Sequence, residues 1–80
     1  MSNDKIETPV AQPPSIGRIV HFHAAAGDPG PYAGIVVRVL PGTTNIVDLA
    51  NLGPNSLYFN HSVPFSPAPH PGCWSWPPRV

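Results

Sequence analysis

The sequence predicts a small all-β fold: a five-stranded, partly open barrel of the SH3-like kind or a curled antiparallel sheet, carried behind a flexible N-terminal arm. Three observations predict it. Thirteen prolines and seven glycines in 80 residues cut the chain into short apolar runs. Several of those runs alternate along one strand face, and the central one is apolar on both faces. No run has the length and freedom from proline that a helix needs.

Residues 1–15, "MSNDKIETPVAQPPS", hold three prolines and little to bury, so they read as the flexible arm. The folded unit is expected over residues 16–80. "GRIVHFH" (17–23) is the first strand, with Arg18, Val20 and Phe22 on one face and Ile19, His21 and His23 on the other. "AAAGDPGPY" (24–32) is turn chemistry. "AGIVVRVL" (33–40) is the strongest strand. Alternation puts Ile35, Val37 and Val39 on one face and Val36, Arg38 and Leu40 on the other, so it should be central.

After the turn "PGTT" (41–44), "NIVDLANL" (45–52) reads as a third strand with Val47 and Leu49 on one face. "LYFNHSVPF" (57–65) is the fourth, with Leu57, Phe59, Val63 and Phe65 in register. Pro64 lacks an N–H for a ladder, so its far end should be an edge or a bulge. "SPAPHPG" (66–72) has prolines at alternate positions and should cross as a stiff extended segment. "CWSW" (73–76) is a short closing strand stopped by Pro77 and Pro78.

The totals restrict function. Four basic residues balance four acidic ones, with no basic stripe to follow a phosphate backbone, so a long nucleic acid is not an expected partner. No apolar run approaches a membrane span, and no membrane partner is expected. A single cysteine, Cys73, and no signal-like start fit a reducing cytoplasm. A domain this small, without an internal disulfide, is expected to gain stability as a homo-oligomer.

His21 and His23 lie about 6.6 Å apart on one strand face. A metal would need further ligands at a recognised spacing, and none is present, so these imidazoles are read as surface or hydrogen-bonding groups and no metal or cofactor is expected. Cys73 near His70 or His61 lacks a nucleophile signature, and apolar surroundings would quiet its thiol. Outside the arm, only Asp28 and Asp48 remain for carboxylate chemistry. The protein is therefore read as a binder and not an enzyme.

The aromatic and arginine residues form the candidate ligand surface: Arg18, His21, Tyr58, Trp74 and Arg79. Indole offers a face for a planar ring, and guanidinium a fork for phosphate. If the first and last strands are neighbours, an arginine–tryptophan cluster forms at one edge. Trp76 is assigned mainly to the core, which leaves Trp74 with Arg79 as the binding pair.

"IGRIVHFH", "GPYAGIVVRV" and "HSVPF…PGCWSWPPRV" together resemble a group of small bacteriophage proteins. Those run glycine–arginine–hydrophobic–valine–histidine, then an A-x-I-V-x-R-V strand, then serine–valine–proline–aromatic, and close on W-x-W-P. The likeness spans about residues 16–80 and implies a phage or prophage origin, and with it the host cytoplasm as the expected location. An anti-defence role follows as an expectation: sequestering a nucleotide-derived host immune signal, of the cyclic dinucleotide or cyclic ADP-ribose type, within an oligomer. The alternatives are an SH3-like module acting on a host or phage protein, with the arm "TPVAQPPS" as a candidate ligand for the same surface in a neighbouring copy, and a minor virion component.

Overall fold

The computed structural model describes residues 12–27, 30–53 and 55–78. Five strands form one antiparallel sheet: β1 (Ile19–Phe22), β2 (Tyr32–Val39), β3 (Val47–Leu52), β4 (Leu57–Val63) and β5 (Trp74–Ser75). Their spatial order is β4-β3-β2-β1-β5, which is the order of a small SH3-like barrel, and β2 is central as its two apolar faces require. Among the described residues there is no helix.

The sheet curls because β5 also touches the chain just beyond β4. Trp74 donates its backbone N–H to Pro64 O (2.9 Å), and Ser66 donates to Trp74 O (2.9 Å), a parallel bridge between Phe65 and Trp74. One face thereby wraps around a core of Val20, Phe22, Val36, Val47, Leu49, Val63 and Trp74.

Two bulges change the faces that simple alternation assigns. In β2, Val36 opposes Leu49 and Arg38 opposes Asp48, so Val37 is the extra residue. Val36 is buried and Val39 packs on the core, while Val37 turns out to solvent. The expected Ile35–Val37–Val39 face is therefore broken at Val37. In β4, Leu49 opposes Asn60 and Val47 opposes Val63, leaving His61 and Ser62 across from Asp48 alone. Leu57 and Phe59 consequently face outward, 57% and 61% exposed, while Val63 points into the core. The expected common register of Leu57, Phe59, Val63 and Phe65 is corrected by this bulge.

Asp48 organises the second bulge. Ser62, at φ +56°, donates its N–H to Asp48 Oδ1 at 2.8 Å, and His61 Nδ1 lies 3.5 Å from Oδ2. The Ser62 N–H is the main reason the carboxyl sits below the ordinary aspartate range; burial opposes the shift, and His61 and Arg38 add to it. Asp48 is thus occupied as a bulge clamp. Asp28, the other carboxylate of the folded unit, lies outside the described residues.

The second buried polar contact joins neighbouring strands. Asn51, fully buried on β3, donates Nδ2–H to Asn60 Oδ1 at 2.7 Å. Gly34 on β2 makes room for it: a Cβ there would lie 2.6 Å from Asn51 Oδ1.

The folded unit begins earlier than Ile16. Pro14 is buried, Gly17 donates to Val36 O (2.7 Å), and the Gln12 carbonyl accepts from Trp76. Residues 12–15 of the expected arm therefore belong to the domain.

Candidate binding groove at Trp76

The two tryptophans have exchanged their expected places. Trp74 pairs with Phe22 across the β1–β5 ladder, and Phe22 faces the core, so Trp74 is carried inward with it. It has no exposed surface, and its indole N–H donates to Asn45 O at 2.8 Å. That bond removes the need for water that usually keeps one end of an indole wet. Phe65 and Trp76 pack on it, with ring centroids at 4.8 and 5.3 Å. Trp74 is therefore a core residue and cannot serve as the stacking surface assigned to it.

Trp76 lies beyond the end of the two-residue β5 and is only half-buried. It meets Trp74 in a T-shaped contact, and the Arg18 guanidinium sits over its ring, 5.2 Å from the centroid. The arginine–tryptophan cluster expected from neighbouring first and last strands thus exists, built on Trp76 in place of Trp74. Arg79, the other arginine assigned to it, lies outside the described residues.

Beside this pair runs a groove of about 660 Å3. Its floor is the outer side of the β1–β5 ladder: His21, His23 and Ser75, with Trp76 at one side. Its walls are prolines, Pro31 from the segment entering β2, Pro67 and Pro69 from the β4–β5 crossing, and Pro78 from the tail. The proline-rich crossing read as a stiff segment supplies this wall because proline fixes the backbone and presents a flat apolar ring.

His23 Nε2 and Ser75 Oγ are 2.8 Å apart, which locks one imidazole into the floor. Partial burial holds the His23 pKa below its ordinary value, with His21 nearby as the smaller cause, so His23 is neutral at pH 7. His21 therefore falls in the groove as assigned. Tyr58 does not: it lies on β4, separated from β1 by β3 and β2. His23, Ser75 and the proline walls were not assigned to the site, and no local spacing marks them, because they meet only through β1–β5 pairing and the crossing that returns over it.

The remaining reactive groups are muted. Cys73 Sγ lies 3.8 Å from His70 Nδ1, but burial pushes its thiol pKa up, away from thiolate. Among the described residues no three His, Cys, Asp or Glu side chains converge in a way that would hold a metal ion. Among the same residues no helix is long and apolar enough to cross a membrane.

The fold and groove define the class: a small curled β-sheet protein of SH3-like strand order with an aromatic, proline-walled groove. Comparison with protein-family models, curated proteins and solved structures finds no match to this chain.

Proposed function

We propose that the protein is a non-catalytic interaction module that takes an extended, proline-containing segment of a host or phage protein into the groove beside Trp76. One observation carries this reading. Trp76 Nε1–H donates to the carbonyl of Gln12 at 3.0 Å, and Gln12 stands directly before Pro13 and Pro14. An indole N–H gripping a carbonyl that stands before two prolines is the chemistry by which aromatic grooves read proline-containing segments. Pro31, Pro67 and Pro69 would flank the ligand's own rings, and His21 offers a polar contact at the floor. The phage resemblance sets the partner class.

A partner carbonyl has to compete with Gln12 for the Trp76 N–H. Calorimetry with extended peptides containing Gln-Pro-Pro should show binding to the full chain, tighter binding after removal of residues 1–12, and none to Trp76→Ala. Silence from every proline-containing peptide with both full-length and trimmed protein would defeat the proposal. A pull-down from infected host lysate would then name the partner.

A second reading keeps the nucleotide-derived signal as ligand. It is favoured by the groove volume, inside the range of about 300–1,000 Å3 common for small-molecule sites, and by Arg18 stacked beside it as a planar phosphate-binding cation. Titration with cyclic dinucleotides and cyclic ADP-ribose isomers decides it. No heat across that panel sinks the small-ligand reading and leaves the peptide reading standing.

A further inference from the structure

The outer face of the sheet, opposite the core, carries a second surface. Register places Ile19, Ile35, Ala50 and Phe59 in one straight row across β1, β2, β3 and β4. The next row on the same face is His21, Ala33, Leu52 and Leu57. The rows between them, Val20–Gly34–Asn51–Tyr58, turn toward the core. Cross-strand neighbours stand about 5 Å apart, so the two outer rows make one continuous patch.

The patch is exposed. Ile19 is 58%, Leu57 57%, Phe59 61% and Leu52 45% accessible, and the bulged Val37 borders it at 44%. Five of the six large exposed apolar side chains among the described residues therefore gather on one face, Ile16 being the sixth. Polar groups rim it: Arg38, Asp48 and His61 at one end, His21 at the other. An apolar centre with a polar rim is the anatomy of a protein interface.

We infer that this face packs against the same face of a second copy of the chain. Two features select that occupant, the apolar area and the absence of net charge. The five side chains expose on the order of 500 Å2 of apolar surface, toward the upper end of the roughly 300–600 Å2 of the largest patch on a monomer and over half of the roughly 800 Å2 per partner of a stable interface. The flanking Ala33, Ile35 and the rim supply the rest. The chain is neutral overall, so two copies approach without net repulsion. The packing is that of two sheets face to face, with Phe59 and Leu57 on the edge strand β4 as its bulkiest exposed contributors. The groove at Trp76 adjoins this face, because His21 stands both at the patch's edge and in the groove floor.

The test is the solution mass of the full chain by light scattering or native mass spectrometry across a dilution series, with Phe59→Lys and Leu57→Lys beside it. Both side chains are mostly outside the core, so each variant should keep its far-UV spectrum while self-association weakens by about 100-fold or more. Mixed-label NMR should show contacts from the Phe59 ring of one copy to Ile19 or Leu52 methyls of the other. A wild-type monomer at every concentration overturns the inference. So does a dimer that both folded variants leave intact, or one whose intermolecular contacts avoid this face. A dimer seen only after residues 1–11 are removed overturns it as well, because the chain's own segment would then be the natural cover. Should one lysine variant fail to fold, the other and the wild-type contacts still decide.

Discussion

Replacing each tryptophan by alanine should have very different consequences, because the two indoles do different work. Trp74 has no solvent-exposed surface, and it touches Phe65 and Trp76 while donating to Asn45 O. Truncating a buried aromatic to alanine costs about 3–5 kcal/mol in transfer and cavity terms. Losing the indole donor strips a buried carbonyl of one bond, about 1 kcal/mol more. A folded unit of this size has roughly 3–10 kcal/mol in total. Trp74→Ala should therefore be largely unfolded at room temperature. Trp76→Ala loses a half-exposed ring, the Arg18 stack and one surface bond, about 1–2 kcal/mol together, and should stay folded. Urea titrations followed by far-UV circular dichroism measure both. The remaining tryptophan reports the same ordering: Trp74 alone, in Trp76→Phe, should emit at shorter wavelength than Trp76 alone, in Trp74→Phe. Equal midpoints for the two alanine variants, or a less stable Trp76→Ala, would refute the assignment of Trp74 to the core.

Gly34→Ala should destabilise by about 1–3 kcal/mol, since the new methyl meets Asn51 Oδ1 at 2.6 Å between two paired strands; thermal melts read it, and adding Asn51→Ala should return part of the loss. Asp48 has a folded pKa below its unfolded value, so its contribution is complete above the ordinary aspartate value of 3.8 and is lost as pH falls through the lower, folded value; Asp48→Asn should flatten that acid limb of the stability curve. His23 also has a lowered pKa, so its stabilisation is present above its unfolded value of 6.5 and declines as pH falls below it; an NMR titration of the His23 ring should give a midpoint under 6.5, and Ser75→Ala should disturb it. Cys73 should react with a thiol alkylating reagent more slowly than free cysteine at neutral pH and catch up when urea unfolds the chain.

Much of the fold was legible because it is written locally. Proline and glycine punctuate the chain between short runs rich in apolar residues, and five strands appear where those runs lie. The centrality of β2 followed from apolar residues on both of its faces. The errors of face came at Val37 and at His61–Ser62, where one extra residue reverses the alternation. A bulge leaves little local mark. What holds this one is Asp48, on a different strand, reaching Ser62 N–H.

The candidate site was legible in composition and not in arrangement. An arginine and a tryptophan at opposite ends of the chain suggested a cluster, and β1–β5 pairing makes one. Two tryptophans separated by one residue look equivalent in sequence. Residue order alone determined five short strands in a small all-β unit, the turns that bound them, and an aromatic tail as the last strand. Only the tertiary structure decided which indole is buried, because that depends on Trp74 pairing with inward-facing Phe22 and finding Asn45 O for its N–H. The same holds for the proline-walled groove and for the apolar rows on the outer face. Each is assembled from residues far apart in sequence, and it exists only once register brings several strands side by side.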